Sequence, residues 1–110
     1  MGDESGLDDE VYCYSIASIE IGKRVVISRG AFLCTGTHNY NDPSFQLEAR
    51  PIKIKSNAWV AAEVFICPGV TVEEGAVLGA RSVVTRDMPA WTVCGGHPCR
   101  PLHRRLRNDR

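Results

Sequence analysis

The sequence has no apolar run approaching the ~20 residues that a membrane-spanning helix needs. Nor does it start like a secretory signal: Gly2-Asp3-Glu4-Ser5-Gly6 is acidic and polar, with neither a basic start nor an apolar stretch. No charge of one sign is in excess. Thirteen Lys and Arg offset thirteen Asp and Glu across 110 residues, so no global field draws the chain to nucleic acid or a lipid surface. There is no C-x-x-C pair either. Cys13, Cys34, Cys67, Cys94 and Cys99 are odd in number and scattered, a poor disulfide framework and a poor zinc site. They read as small apolar side chains in a reduced, cytoplasmic protein.

What remains is the composition of one soluble globular domain, 44% hydrophobic and 24% charged. The neutral balance hides an asymmetry. Residues 1–10 carry five acids and no base, and residues 100–110 carry five Arg and one Asp. We expect 1–10 to be a disordered acidic leader and 11–110 to be the folded domain.

Inside that domain an aliphatic residue returns every six positions: Ile54, Val60, Ile66, Val72, Leu78 and Val84. The same phase upstream gives Ile21, Ile27 and Leu33. The fourth residue after most anchors is small or compact (Val25, Ala31, Ala58, Val64, Val70, Ala76, Ser82). A helix of 3.6 residues per turn would walk such anchors around its surface, and strict strand alternation does not match them. Short strands separated by turns do match, with turn chemistry at Ser56-Asn57, Pro68-Gly69 and Glu74-Gly75. Three hexads make one triangular coil, and coils stack as a solenoid. The expected fold is all-β: a parallel β-helix of about three coils. Residues 11–20 look like strand but break the phase, because Ser15 occupies the anchor slot.

Two segments depart from the repeat. Residues 36–51 are expected to be an extended loop of the kind that carries function, and it opens with His38. The tail 91–110 contains Gly95-Gly96, Pro98 and Pro101, and Leu102 with Leu106 would share one face of a short helix. Its arginines are a solvated face, a nonspecific nucleic-acid patch or, beside the Gly-rich turn, holders of phosphate through paired guanidinium donors.

The segments Ile27-Ser-Arg-Gly-Ala-Phe-Leu-Cys-Thr-Gly-Thr-His38, Asn57-Ala-Trp59-Val60, Pro68-Gly-Val-Thr-Val72, Val77-Leu-Gly-Ala80-Arg-Ser-Val-Val-Thr85-Arg-Asp87 and Gly96-His-Pro-Cys-Arg100-Pro101 form an ordered set. Over roughly residues 11–105 the chain resembles the left-handed parallel β-helix (hexapeptide-repeat) acyltransferases, which implies the left hand for the coils. It looks most similar to polysaccharide O-acetyltransferases of the colanic-acid type, with the maltose and galactoside O-acetyltransferases nearby. The resemblance implies His38 as general base and Trp59 beside the acetyl group and pantetheine arm. It further implies coenzyme A contacts at Ala80, Thr85, Arg86 and Arg100, acetyl-CoA as co-substrate, a saccharide or small-molecule acceptor, and a homotrimer with sites between chains. Relatives carry earlier coils than the ten residues ahead of the match. They have Asn or Asp where Ser15 stands and often Asn where His97 stands.

The implied chemistry is self-consistent. An alcohol must lose a proton as it attacks a thioester, and one neutral imidazole can take it, contributing ~10²–10⁴-fold. Direct attack needs no acyl-enzyme, so no Ser or Cys nucleophile is required. Two alternatives are weighed beside it. A zinc carbonic anhydrase on this scaffold needs about three histidine ligands, whereas His97 and His103 sit in the tail and only His38 is near the coils. A shortened, non-catalytic trimeric scaffold is the other. No metal, nucleic acid or membrane partner is expected.

Overall fold

The structure is a computed structural model and describes residues 2–106. Arg107 and Arg110, two of the five arginines in residues 100–110, lie outside the described residues. Each hexad makes one short strand and one corner, and the strands wind into coils. The first coil is β1 (Gly6–Leu7), β2 (Tyr12–Tyr14) and β3 (Ile19–Ile21). The second begins with β4 (Val26–Ile27) and β5 (Phe32–Cys34), departs through β6 (Gly36–His38) and β7 (Leu47–Ala49), and closes with β8 (Ile52–Ile54). The third is β9 (Trp59–Val60), β10 (Phe65–Ile66) and β11 (Thr71–Val72). The fourth is β12 (Val77–Leu78), β13 (Val83–Val84) and a single bridge from Met88 to Val72. Above it lie β14 (Thr92–Gly96) and β15 (Cys99–Arg104). No helix occurs among the described residues.

Three faces result. The first stacks β1-β4-β9-β12-β14-β15, the second β2-β5-β10-β13, and the third β3-β8-β11. All pairings in these stacks are parallel except β14 with β15. The anchors point inward and fill the prism: Ile27, Leu33, Ile54, Val60, Ile66, Val72, Leu78 and Val84 are buried. So are the compact residues four positions on (Val25, Ala31, Ala58, Val64, Val70, Ala76, Ser82), which line the corners.

The third residue after an anchor takes a positive φ wherever the hexad is intact. Gly30, Glu63 and Arg81 form one such column, and Arg24, Asn57 and Gly75 another, topped by Trp91. That left-handed step turns the chain about 120° within two residues. It also lets each corner amide reach the coil below: Glu63 N–H bonds Arg29 O at 3.0 Å, Arg81 N–H bonds Ala62 O at 2.9 Å, and Gly75 N–H bonds Ser56 O at 2.9 Å. The ladder therefore runs through the corners as well as the strands. Gly75 has a second reason to lack a side chain, because a Cβ there would collide with the Trp91 ring.

Four expectations change. The acidic leader is a rung and not a disordered tail. Leu7 pairs with Ile27, and Gly6 and Asp8 donate to Val25 O and Ile27 O at 2.9 Å. The free edge of β4 offers backbone partners that the acids do not obstruct, since Asp3, Glu4 and Asp8 to Glu10 all face solvent. The prism thus has four turns where the repeat count gives about three. The excursion at 36–51 is a β-hairpin, β6 antiparallel to β7, inserted within one coil. Ile54 accordingly closes the coil that Ile27 and Leu33 begin. Finally, the tail is strand and not helix. β15 folds back on β14, with a register shift at Val93/Cys94, and covers the edge that the top rung would otherwise expose.

Ser15 breaks the phase because the second corner of the first coil is two residues wider than a hexad allows. Thr35, fully buried, fits that widening: its Oγ1 accepts from Ile16 N–H at 3.0 Å and Ala17 N–H at 3.1 Å, and donates to Tyr14 O at 2.8 Å. Thr35→Val keeps the shape and strands two amides. Water can reach part of this corner, so we expect a loss of about 1–3 kcal/mol, read as a lower urea midpoint. Thr35→Ser should retain most of the stability.

Candidate active site

His38 ends β6, where the hairpin leaves the prism. The hairpin is closed at its base by Arg50 N–H to Thr35 O and at its tip by Asn39 N–H to Gln46 O, both 2.9 Å. Between them Asp42 organises the turn, its Oδ1 accepting from Ser44 N–H at 2.9 Å and Ser44 Oγ at 2.8 Å. Those two bonds, the backbone one first, hold the Asp42 carboxyl below the usual carboxylate range. The turn brings Phe45 back over His38 with the rings stacked, centroids 4.6 Å apart and planes 16° apart. His38 Nδ1 lies 3.0 Å from Phe45 O. A carbonyl can only accept, so in the neutral ring the proton sits on Nδ1 and the lone pair is on Nε2. The imidazole is exposed, braced on one face, and carries a free basic nitrogen.

Arg86 and Arg100 come together. They line one groove of about 410 Å³ with Pro98, Cys99 and Pro101. Neither makes an ion pair among the described residues, and no carboxylate lines the groove. Thr85 stands at the rim of the neighbouring groove, which Arg86 also borders with Arg50 and Asp87. The Asp87 carboxylate is committed elsewhere, accepting from Thr71 N–H at 2.8 Å. Ala80 is exposed one residue before the corner residue Arg81, which is paired with Glu63 at 2.8 Å. Two unneutralised guanidiniums over a surface of small side chains suit a phosphate-bearing ligand.

Trp59 lies on the first face, half exposed, its Nε1–H donated to Ser28 Oγ at 3.0 Å. The groove around it also takes in Val26, Asn57, Arg24 and Arg105. Neither arginine was singled out from the sequence, where Arg105 is one of the tail arginines left as solvated, nucleic-acid-binding or phosphate-holding. It is half-buried. Its guanidinium donates to Asn57 O at 2.8 Å and Gly75 O at 3.0 Å, and lies 5.4 Å from the Trp91 ring centre. The tail is thereby strapped down one corner column. Arg24 was findable, since it stands three residues after an anchor, as Asn57 does one coil later. Its Nε donates to Asn57 Oδ1 at 2.9 Å.

The chain does not bring these groups into one pocket. His38 leaves from the second face on its hairpin, Trp59 is on the first, and Arg86 with Arg100 lies higher, past the fourth coil. Burial and the neighbouring Cys99 push the Cys94 thiol up to about 11, and burial also raises Cys99 and Cys67. These sulfurs stay protonated at neutral pH and are poor nucleophiles. The histidines are dispersed over hairpin, turn and β15, and no three His, Cys, Asp or Glu side chains converge as metal ligands among the described residues.

No family model matches the chain. It is 39% identical over 109 residues to an Escherichia coli K12 protein provisionally named colanic acid biosynthesis acetyltransferase WcaF, a match covering 99% of this chain and 60% of that protein. The chain spans about three fifths or less of the length of the curated relatives it matches. Its fold superposes on a maltose O-acetyltransferase from Clostridium difficile with a TM-score of 0.77, at 26% identity, covering 97% of this chain and 70% of that one. A hexapeptide-repeat acetyltransferase from Vibrio cholerae, solved with acetyl coenzyme A, gives 0.75 at 25% identity, covering 97% and 71%. The shared architecture is the left-handed parallel β-helix.

Proposed function

The chain belongs to the hexapeptide-repeat acetyltransferases, and from that premise we propose that it moves an acetyl group from acetyl-CoA to a hydroxyl of a saccharide. The observation that carries this reading is the His38 ring, fixed by Phe45 O so that Nε2 is the basic nitrogen. Nε2 takes the proton of the attacking hydroxyl. The new C–O bond forms at the thioester carbon as the C–S bond breaks, and the proton passes from Nε2 to the leaving sulfur. Acetyl-CoA supplies the activated acyl group. Arg86 and Arg100 hold its phosphates, Ala80 and Thr85 flank the chain between, and Trp59 packs beside the acyl end. The buried thiols take no part.

The active unit is a homotrimer whose site is completed between chains. His38 and Trp59 sit on different edges of one prism, so a neighbouring copy must set one against the other. Apolar surface supports this arrangement. Tyr12, Phe32 and Phe65 stack up the outside of the second face with ring centres 6.0 and 5.2 Å apart, and Tyr40, Phe45 and Leu47 are exposed on the hairpin.

Two measurements test the reading. Thiol release from acetyl-CoA should accelerate with at least one saccharide acceptor, and light scattering should give three 12.1 kDa chains. Bound acetyl-CoA with no transfer to any hydroxyl, or a stable monomer at micromolar concentration, would defeat the corresponding half.

A further inference from the structure

The Trp59 groove has chemistry that an acetyl group and a pantetheine arm do not use. Its volume is about 400 Å³. One wall is apolar, formed by the half-exposed Val26 and Trp59 side chains. The same groove is lined by two cations, Arg24 and Arg105. Both guanidiniums are held in place by neutral partners. Arg24 is fixed through Nε on Asn57 Oδ1, and Arg105 through one terminal nitrogen on two carbonyls. Neither makes an ion pair with a carboxylate among the described residues. The acids of the same corner column, Glu4 and Glu74, are not salt-bridged to them, although Arg29, Arg50 and Arg81 elsewhere on the surface each have a carboxylate.

Tethered guanidiniums with donors to spare, in one groove with an indole, are suited to a planar anion on a ring that can lie against the aromatic face. We propose that this groove is the acceptor subsite and selects a sugar that bears a carboxylate. In this arrangement Trp59 receives the sugar ring's C–H face, Arg24 and Arg105 take the carboxylate, and Ser28 stays bonded to the indole nitrogen. The inference rests on the acetyltransferase reading for the word acceptor, but not for the binding itself.

A binding measurement separates the two. Tryptophan fluorescence of the intact protein is titrated with methyl β-D-glucuronide and methyl β-D-glucoside, which differ only in the carboxylate. Trp59→Phe identifies the responding indole against Trp91. The glucuronide should bind at least tenfold more tightly, and Arg24→Gln should remove that preference while leaving glucoside binding and the melting temperature unchanged. Equal affinities for the two glycosides overturn the proposal. An Arg24→Gln loss that falls equally on acetyl-CoA also overturns it, because the pair would then be holding cofactor phosphates. If the preference for the glucuronide holds but no hydroxyl of any acceptor is acetylated, the acetyltransferase reading falls and the acidic-sugar site stands.

Discussion

Replacing His38 with alanine should leave acetyl-CoA affinity nearly unchanged and lower kcat at least ~100-fold, the usual range for removing a general base. The split between the two parameters is informative. His38 stands on the hairpin, away from the Arg86–Arg100 groove, so cofactor binding has no reason to suffer. A kcat within about threefold of the parent would remove His38 from the mechanism. The bond to Phe45 O adds a second signature. Glutamine at position 38 can donate to the same carbonyl, yet it offers no basic nitrogen, so His38→Gln should keep the hairpin folded and remain inactive.

The other large effect concerns the cofactor. Arg86→Ala and Arg100→Ala should each weaken acetyl-CoA binding by roughly ten- to a hundredfold, the worth of a charged donor on a phosphate. Arg104→Ala is the control. Its side chain is exposed and makes no ion pair among the described residues, so removing it should change affinity less than about twofold. Calorimetry reads all three. Cutting the chain after Pro101 is not an equivalent control, since it deletes half of β15 and the Arg105 strap together. A larger loss from Arg104→Ala than from Arg86→Ala or Arg100→Ala would move the phosphate site onto the tail.

The prism was legible because its period belongs to the backbone. An inward anchor every sixth residue, with a compact residue four later, is a covariate of the turn itself, and every anchor from Ile27 to Val84 is buried. The first coil was illegible for the opposite reason. Leu7 and Cys13 lie twenty residues below Ile27 and Leu33, and the two extra residues are absorbed at Thr35, a long-range contact that no local window contains. The tail was misread because Leu102 and Leu106 have helical spacing, whereas the open edge of β14 decided the outcome. Of the candidate site, Arg86 and Arg100 were named through the resemblance, and the fold brings them to one groove. The strap made by Arg105 was not legible, since nothing near it in sequence announces carbonyls 30 and 48 residues away.

The hairpin enters the prism after Thr35 and returns at Arg50, and those two residues are hydrogen-bonded to each other. It is therefore a closed parenthesis in a periodic text: Leu33 and Ile54 continue the stack as if nothing stood between them. Lengthening such an insertion costs only about 0.6 kcal/mol per doubling in closure entropy. Evolution, or an engineer, can exchange the arm for one of different reach or chemistry while the coils above and below keep their register. Scaffold and arm are separately heritable parts, and variation in what the arm touches need not be negotiated with the core.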